Sequence, residues 1–386
     1  MLIMEKTGLK ITEVNDADGI QRNTQVWHQL QESNSSLTPW QTWEWNEAWW
    51  SHFGGNKRLK LLLFQTLSNE VVGIAPLCTA RYLGTPVKRL VWVGTGQSDY
   101  LGVIAKPDYE EEVCSSLMKY LKATVQGWDV ADLQQIRSQS VLGQIVVDSK
   151  LDGESAMSDP CPFLSLPDEW KTLTNGLGKK MRTNIGYYNR LLQRTFQKID
   201  FRLATEETLQ ADLNSLFDLH QSRWKSRSLP GVLGSSRVQQ FHRTVAKRFL
   251  ANNWLRLHTL NADGQTIASL YCFAYNNRTY YYQGGFSISH SRYSPGTVLL
   301  AKAIETAINE KHSEFDFLRG HEDYKYKWQP LERYNHNYNL VREENSISGR
   351  AGRLLNRAER FVVCQALAYA DRKSHKTPQI SGASES

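Results

Sequence analysis

The sequence has few cysteines and lacks the long apolar runs of membrane proteins. Its cysteines are scattered and odd in number, which fits neither the ligand spacing of a metal site nor a complete disulfide framework. No segment approaches the ~18 consecutive apolar residues that cross a bilayer, and residues 1–11 alternate charged and apolar groups, unlike a signal peptide. We therefore predict a cytoplasmic protein with reduced, mostly buried thiols at Cys78, Cys114, Cys161, Cys272 and Cys364.

Several catalytic signatures are missing as well. The chain contains no nucleophile elbow, Walker loop, HExxH helix or CxxC pair, and Gly94-Thr95-Gly96 is too short for a dinucleotide fingerprint. A covalent intermediate and a bound metal therefore have no support in the sequence. What remains is chemistry in which the protein positions two reactants and stabilises the charge that develops between them.

The composition is that of a large globular chain with many aromatic residues. Its 386 residues predict two domains, because single hydrophobic cores seldom grow past about 250–300 residues. Apolar residues make up 40%, and 12 Trp and 17 Tyr supply large side chains for cores or for a cleft. The net charge of +7 is compatible with anionic partners such as phosphates, a cofactor, nucleic acid or acidic lipid, but does not require them.

One order of predicted elements occurs twice. Each copy has three strands, a loop, an amphipathic helix and a closing strand. The first copy has these elements at 59–67, 71–78, 88–93, 109–123 and 128–133, and the second at 254–260, 265–275, 279–283, 296–311 and 314–318. This repetition predicts a mixed α/β (α+β) protein with two copies of one module, each a mostly antiparallel sheet flanked by helices, rather than one large sheet.

The predicted domain boundaries follow composition. Residues 1–150 form the first domain and 168–335 the second, with a Ser-, Asp- and Pro-rich linker at 151–167 between them. Further helices are predicted near 179–194, 206–219 and 236–250. Residues 336–386 are a polar tail with a basic amphipathic helix at 348–372, which could dock on a partner or contact a membrane surface.

Five short segments together resemble one known family. Tyr293-Ser294-Pro295-Gly296 opens the helix of the second copy, and residues 315–328 read FDFLRGHEDYKYKW. With Thr38-Pro39-Trp40, His52-Phe53-Gly54 and Ser98-Asp99-Tyr100, they resemble the CelD/BcsL group of GNAT (Gcn5-related N-acetyltransferase) acyltransferases. That group is named for a link to cellulose biosynthesis and is related to the Fem peptidoglycan aminoacyltransferases. The resemblance covers roughly residues 39–328.

The resemblance implies two tandem GNAT domains and an acyltransferase. An acyl group would pass from acetyl-CoA or another acyl-CoA to an amine or hydroxyl of a sugar, polysaccharide or envelope precursor, by direct attack on the bound thioester. A Fem-type transferase using aminoacyl-tRNA is one alternative, because the positive charge is compatible with RNA. The other is a non-catalytic accessory protein of the polysaccharide-synthesis machinery, since Tyr293 and Val298 depart from the usual Gln/Arg-x-x-Gly-x-Gly/Ala loop. No DNA partner is expected.

The resemblance places donor binding at the start of the second-copy helix. A helix N-terminus presents free N–H groups and the positive end of the dipole, which is where a GNAT protein holds the CoA pyrophosphate. We therefore assign Ser294, Gly296 and Thr297 to the donor, with Arg292 as a phosphate clamp. In the simpler interpretation, Ser294 and Pro295 are an ordinary N-cap and first helical residue, and Arg292 is a solvated loop charge.

Three residues are the candidates for chemistry. Asp99 follows a strand of the first copy in a Gly-rich loop, where a carboxylate could accept the proton of the attacking group. Tyr281 lies on the strand face opposite Tyr280 and could protonate a leaving thiolate. Lys325 lies in an alternating aromatic and basic segment and could contact a phosphate or the acyl oxygen. The competing interpretations are an Asp turn, a packed tyrosine and a solvated edge strand.

A further group is assigned to substrate binding. Aromatic rings can stack on a sugar or adenine, and cations can contact a phosphate. Asp316 alternates with core Phe residues, so its side chain should face the cleft or solvent, although its case as a base is weaker than that of Asp99. Core packing and a solvated helix face remain alternatives for the substrate-binding set, which is Tyr100, Arg182, Trp224, Tyr324 and Trp328.

Overall fold

The first copy of the predicted order is present in the structure. The computed structural model describes residues 3–4, 8–82, 84–123, 127–148, 154–225, 231–341 and 347–359. The elements of the first copy are β1 (Ile3–Met4), β2 (Lys10–Val14), α1 (Gly19–Arg22), α2 (Thr24–Ser33), α3 (Trp43–Phe53), β3 (Arg58–Gln65), β4 (Val71–Arg81), β5 (Lys88–Trp92), β6 (Ile104–Ala105), α4 (Glu110–Ala123), β7 (Val130–Arg137) and α5 (Val141–Asp148).

The second copy repeats the order, with a longer third strand and a shorter closing strand. Its elements are β8 (Glu154–Ser165), α6 (Trp170–Gly176), α7 (Lys179–Thr195), β9 (Ile199–Leu203), α8 (Leu209–Lys225), α9 (Ser236–Ala251), β10 (Leu255–Ala262), β11 (Gln265–Tyr275), β12 (Arg278–Phe286), α10 (Pro295–Asn309), β13 (Glu314–Asp316), α11 (Asp323–Tyr326) and β14 (Leu331–Val341), followed by helix α12 over 347–359.

Local sequence explains the hairpins of the second copy. Asp263 and Gly264 both have positive φ between the paired residues Ala262 and Gln265, as a two-residue type I′ turn requires. Asn276 and Asn277 do the same between β11 and β12. Asn and Gly tolerate left-handed backbone better than other residues, so these dipeptides fix both hairpins and their register.

The two copies share the same pairing order. In the first, β3, β4 and β5 are antiparallel, and after α4 the chain returns so that β7 lies parallel to β5. In the second, β10, β11 and β12 are antiparallel, and after α10 the chain returns so that β13 lies parallel to β12. The mixed α/β fold and the repeated module are confirmed.

The expectation of two separate sheets is wrong. Within the described residues, the strands form one sheet in the order β1-β2-β3-β4-β5-β7-β14-β8-β13-β12-β11-β10-β9, with β6 beside β4. Two strands cross between the copies: β8 follows the first copy but pairs with β13, and β14 follows the second copy but pairs with β7. Because β8 and β14 also pair with each other, the sheet is continuous across the seam.

The predicted linker and the start of the predicted tail are therefore strands. Residues 154–165 of the linker form β8, and residues 336–341 of the tail complete β14. Pro160 and Pro162 misled the sequence prediction, because proline has no N–H for a sheet ladder. Their carbonyls nevertheless accept hydrogen bonds from Gly320 and Phe317, at 2.9 Å each. Linker residues 151–153 lie outside the described residues.

The described part of the tail helix packs on its own chain. Ala351 and Leu355 of α12 contact an apolar cluster of the first copy that includes Tyr82 and Val130. Glu359 pairs with Arg89 at 2.7 Å. The helix prediction is confirmed over 348–359, while residues 360–372 and the remaining tail lie outside the described residues.

One apolar core joins the two copies. Trp40 and Trp45 of the first copy are fully buried against Phe273, Tyr280 and other second-copy residues. The Trp40 ring lies 5.4 Å from that of Tyr280, edge to face. The tryptophan cluster is therefore core packing. Side chains of both copies therefore pack against each other across this core.

Candidate functional site

Two parallel strands separate in the second copy and leave a gap. β12 and β13 pair from Arg278 and Glu314 as far as Tyr280 and Asp316. β12 then continues to Phe286, whereas the chain after β13 follows β8. Past Tyr280, the β13-facing edge of β12 therefore has no strand partner among the described residues. Free backbone groups at such an edge can polarise a carbonyl that lies between the strands.

A bulge beside the gap sets the directions of its side chains. The register with β11 shifts between Tyr271, which pairs with Gln283, and Cys272, which pairs with Tyr281. Tyr282 is thus the extra residue of a β-bulge. Tyr280 and Tyr282 both pack in the core that joins the copies, and Tyr281 packs on the opposite face, as predicted.

A loop of the first copy covers the gap. The Tyr282 hydroxyl donates to the Gln97 carbonyl at 2.8 Å. The Asp99 carboxylate accepts from Arg319 Nε at 2.9 Å, with 8% of the Asp99 side chain exposed and 36% of the Arg319 side chain. Asn335 of β14 holds the Asp99 carbonyl at 2.8 Å. The candidate base therefore lies at the gap, on the opposite copy from the strands that form it.

Burial and charge act in opposite directions on Asp99. Burial raises the pKa of its carboxyl above the ordinary value, and the positive charge of Arg319 offsets part of that rise. A carboxylate with a raised pKa is a better proton acceptor than an exposed aspartate. The position and the electrostatics of Asp99 both suit a general base.

A buried ionic network lies behind Asp99. Arg333 of β14 donates to Asp316 and Glu314 at 2.5 Å each, and the Tyr100 hydroxyl donates to Asp316 at 2.8 Å. Asp316 is fully buried and also accepts from the Leu318 N–H at 2.8 Å. The prediction that Asp316 faces the cleft or solvent is wrong, because the crossing strand β14 brings a guanidinium to it. Tyr100 is likewise buried in the seam rather than open to a substrate.

Two tyrosines lie together on the other face of β12. The Tyr281 and Tyr324 rings are 6.4 Å apart, edge to face. Burial raises the pKa of Tyr281 to about 12 and the pKa of Tyr324 well above its usual value, while the charge of nearby Arg223 opposes both rises. Both phenols are therefore protonated at neutral pH, and because Tyr324 hydrogen-bonds to Tyr281, the Tyr281 hydroxyl is the one left to donate to another group.

Lys325 has a different environment from the one predicted. Residues 323–326 form one helical turn rather than an edge strand, and Lys325 is 2% exposed. Its ammonium donates to the carbonyls of Leu318, Arg319 and Gly320 at 2.8–3.4 Å and pairs with Glu322 at 2.8 Å. These contacts fix the loop that carries Arg319, so the structure gives Lys325 a positioning role and no open contact to an acyl oxygen.

The start of α10 has the position that the sequence predicts. Helix α10 begins at Pro295, but Ser294 has φ +46° and its side chain caps no backbone N–H, contrary to the N-cap prediction. A left-handed residue turns its side chain away from the first helical turn. Gly296 lies against Phe286: a Cβ there would be 3.3 Å from the ring. The Arg223 guanidinium carbon lies 5.2 Å from the centre of that ring.

The remaining assigned residues do not all converge on the gap. Arg292 is exposed and folds over its neighbour Tyr293, 4.6 Å from the ring centre. Arg182 is exposed on α7 and donates to the Asn175 carbonyl at 3.3 Å. Trp328 is buried beside a separate cavity of about 330 Å³ next to α6. Trp224 is half-buried on α8, its ring 5.9 Å from that of His220.

Sequence analysis missed two buried histidines near the bulge. His220 of α8 and His242 of α9 are 1% and 0% exposed, and none of their ring nitrogens has a hydrogen-bond partner of normal geometry. The His242 ring lies 5.2 Å from the Tyr282 ring. Burial lowers the pKa of His220 to about 4, with Arg223 adding to the shift, and lowers the pKa of His242 to about 3. Both rings are neutral at physiological pH.

Comparison with known families identifies the second copy. Residues 179–326 match the family model of the acetyltransferase (GNAT) domain. This stretch, 148 of the 386 residues, is similar to a GNAT acetyltransferase domain. It begins with α7 and ends with α11, so it includes α10 and the β12–β13 gap. A search of curated proteins found no significant match.

Solved structures extend the similarity to most of the chain. The structure of FemX is similar, with a TM-score of 0.60 and 10% identity over 82% of this chain and 96% of FemX. A conserved protein of unknown function from Bacteroides thetaiotaomicron has a TM-score of 0.53 and 10% identity, over 86% of this chain and all of that protein. At such low identity these similarities establish the fold alone.

Three further findings concern membrane spans, metal ligands and cysteines. No described helix combines the length and apolarity that a bilayer span needs. Among the described residues, no three His, Cys, Asp or Glu side chains are grouped so that they could hold a metal ion. The four described cysteines, Cys78, Cys114, Cys161 and Cys272, are buried and make no disulfide.

Proposed function

We propose that the protein transfers an acyl group from acetyl-CoA or another acyl-CoA to an amine or hydroxyl of a sugar, polysaccharide or envelope precursor. The observation that carries this proposal is the gap between β12 and β13. It combines a free strand edge, a bulge and the N-terminus of a 15-residue helix in the GNAT domain. The transferred carbonyl would lie against the free edge, where backbone N–H groups stabilise an oxyanion.

The residues at the start of α10 fit the anionic part of CoA. Gly296 leaves the backbone open except for the Phe286 ring, and the Arg223 guanidinium lies over that ring. With Ser294 and Thr297, these groups would hold the pyrophosphate by N–H bonds and charge. Arg292 would have to leave Tyr293 to join them. Bound CoA would supply an activated thioester and a thiolate leaving group.

The proposed chemistry uses groups from both copies. Asp99 accepts the proton of the attacking amine or hydroxyl, and Arg319 orients its carboxylate. Tyr281, protonated at neutral pH, donates toward the departing thiolate. Trp224, beside His220, and Tyr324, beside Tyr281, remain the proposed substrate contacts. The protein thus acts by holding donor and acceptor together in a site that excludes most water.

A thiol-release assay tests this function. Purified protein is incubated with acetyl-CoA or longer acyl-CoAs and a panel of amino sugars and sugars, and free CoA is measured over time. Asp99→Asn should lower turnover about 100-fold, the smaller end of general-base contributions. Asp16→Asn, which alters an exposed ion pair with Arg22, is the matched control. Unchanged turnover in Asp99→Asn would remove the base from the mechanism.

An aminoacyl-tRNA donor is the second candidate. It is favoured by α7, which carries five basic residues and no acidic one along 17 residues, all five exposed: Lys179, Lys180, Arg182, Arg190 and Arg194. Such a face suits a phosphate backbone. Transfer from aminoacyl-tRNA with no response to acyl-CoA would select this donor over CoA.

The CelD/BcsL resemblance supports a role beside polysaccharide synthesis, including cellulose synthesis. If neither donor reacts, a partner synthase that stabilises the protein in thermal-shift measurements would select the third possibility, a non-catalytic accessory protein. Peripheral membrane contact through residues 348–372 belongs to the same proposal. Vesicle flotation of the full chain with and without those residues would test it.

A further inference from the structure

The two buried histidines belong to a wider set of buried polar groups on one face of the second copy that lack hydrogen-bond partners of normal geometry. The Ser269 hydroxyl of β11 is also fully buried and has no hydrogen-bond partner. Ser269 pairs in register with Gly285, and a Cβ on Gly285 would lie 2.6 Å from the His220 backbone nitrogen. Ser269 therefore lies under the part of α8 that carries His220.

These buried polar groups lower the stability of the fold unless another polar atom forms hydrogen bonds with them. A buried polar group without a partner destabilises the fold relative to one that is hydrogen-bonded. An apolar side chain at either histidine position would avoid that cost. The surroundings are otherwise aromatic, with Trp224 near His220, and Phe241, Tyr271 and Tyr282 near His242. A polar ligand atom would satisfy the unpaired groups.

The bulge connects these groups to the gap. Tyr282 lies next to His242, and the Gln283 side chain makes a hydrogen-bonding contact with His220, outside normal geometry, that offsets part of its lowered pKa. Both residues belong to the stretch of β12 whose β13-facing edge is free. The Gly231 backbone, with φ +65°, closes the other side: a Cβ there would be 3.0 Å from His220 Cε1. The polar groups therefore lie directly behind the strand at which transfer is proposed.

We infer that His220, His242 and Ser269 form a buried polar subsite that binds the nucleophilic amine or hydroxyl of the acceptor. This inference rests on the proposed function and adds the acceptor end of the site. A neutral imidazole nitrogen accepts a hydrogen bond from the acceptor N–H or O–H and so orients its lone pair toward the gap. A carboxylate or phosphate group would not bind in the same way, since neutral imidazole and hydroxyl groups supply no positive charge. Arg223 is the charged neighbour on the same helix.

In the transfer step, the acyl group leaves the sulfur of CoA and joins the acceptor. The acceptor nitrogen or oxygen forms a bond to the acyl carbonyl carbon, and the carbon–sulfur bond of the thioester breaks. The acceptor proton passes to Asp99, and the thiolate takes a proton from Tyr281 or solvent. With an amine, one N–H proton passes to Asp99 while the other keeps its hydrogen bond to His220 throughout; with a hydroxyl, the hydrogen bond to His220 orients the attacking oxygen only until its proton passes to Asp99. In both cases His220 acts as a positioning residue for the nucleophile.

Isosteric substitutions test which nitrogen is used. His220→Gln keeps a hydrogen-bonding oxygen near the Nε2 position, and His220→Asn keeps one near the Nδ1 position. His220→Phe keeps neither. In the thiol-release assay, Phe should raise the acceptor KM about tenfold or more, while one amide variant restores it and the KM for acyl-CoA stays unchanged. His258→Gln is the control, since His258 is also buried with a pKa lowered to about 3 but lies on β10. Equal acceptor KM in all His220 variants would overturn the inference.

A direct measurement separates this inference from the proposed function. The full chain, with its histidines labelled by ¹⁵N, is titrated with glucosamine and its ring resonances are followed by NMR. Resonances assigned to His220 and His242 through their variants should move, and that of His258 should not. If glucosamine moves them although acyl-CoA is never consumed, the subsite stands and the acyltransferase proposal fails. If the resonances stay fixed, the sugar does not reach the histidines and the subsite is wrong.

Discussion

The two copies of the module treat the same structural opportunity in opposite ways. In each, two parallel strands diverge after a short pairing: β5 and β7 in the first copy, β12 and β13 in the second. In the first copy the chain after β5 folds back, and Leu101 bridges to Ile136, with its N–H bound to the Gln135 carbonyl at 2.9 Å. The opening of the first copy is thus filled by its own loop, while that of the second keeps a free strand edge.

The loop that fills one copy covers the other. Residues 94–103 place Leu101 in the first-copy core, yet Gln97 and Asp99 of the same loop contact Tyr282 and Arg319 of the second copy. The opening of the first copy is filled, and the loop that fills it contributes the Asp99 carboxylate to the opening of the second copy. This difference explains why the chemistry is proposed for one gap only, although the module is present twice.

Acid should reveal the largest difference between the copies. His220, His242 and His258 all lie in the second copy, and their pKa values are lowered to about 4, 3 and 3. Each folded pKa lies below the unfolded value of about 6.5. The stability of the folded state is therefore unaffected by these histidines above about pH 6.5 and falls as the pH drops from there through the folded pKa values of about 4 and 3. At pH 5 each should remove about 2 kcal/mol of stability, or about 6 kcal/mol together.

Urea unfolding at pH 7.5 and pH 5.0 would measure the loss, and amide exchange would locate it. Protection should fall in β10–β12 before β3–β5. His258→Gln should recover about 2 kcal/mol of the difference between the two pH values. Equal loss of protection in both copies would show that they do not differ in this respect.

The network at the seam should give the next largest effect. Arg333→Met leaves Asp316 and Glu314 buried without their cation, which costs about 3–5 kcal/mol. Chemical denaturation would report it, with Arg22→Met as the control because the Arg22–Asp16 pair is exposed and worth at most about 1 kcal/mol. Adding Asp316→Asn and Glu314→Gln to Arg333→Met should recover part of the loss. A small effect of Arg333→Met alone would mean that the seam depends on apolar packing.

Local patterns predicted the elements better than their partners. The Asp263-Gly264 and Asn276-Asn277 turns, and the buried apolar stripe of α10, were each readable from neighbouring residues. Strand crossing was not, because it depends on pairing between β8 and β14, which lie far apart in sequence. That crossing, through Arg333, is also why Asp316 is buried.

The site shows the same division. The sequence indicated Asp99 and the start of α10 from a loop and a helix signal. It gave no sign of Arg319 as the partner of Asp99, since residues 220 positions apart met only in the folded chain. His220 and His242 lie on two different helices among apolar neighbours, where a single histidine reads as core. The signal that would have found them is the pairing of two such histidines opposite one bulged strand.

Removing the Leu101 side chain, which fills the opening of the first copy, should destabilise the protein less than breaking the ionic network at the seam. Leu101 is 6% exposed in the first-copy core, so Leu101→Ala should destabilise the protein by about 2–4 kcal/mol through the cavity it leaves. Leu67→Ala, at a side chain 79% exposed, is the control and should have almost no effect. Calorimetry would give the stabilities, and acyl-CoA titration would show whether the first copy gains a binding site. We expect none, because the backbone bridge to Ile136 remains.

The smallest effect should come from the turn that lets the loop return. Gly96 has φ +90° with no atom within 4 Å of a Cβ added there, so Gly96→Ala adds backbone strain without a clash and should cost about 1 kcal/mol. Gly55→Ala, where space is also open but φ is ordinary, should be neutral or slightly stabilising. Because Asp99 lies three residues beyond Gly96, the same strain should lower turnover in the second copy more than it lowers stability. If turnover falls only in proportion to stability, residues 94–103 serve the first copy alone. The loop would then not link the filled opening of the first copy to the site of the second.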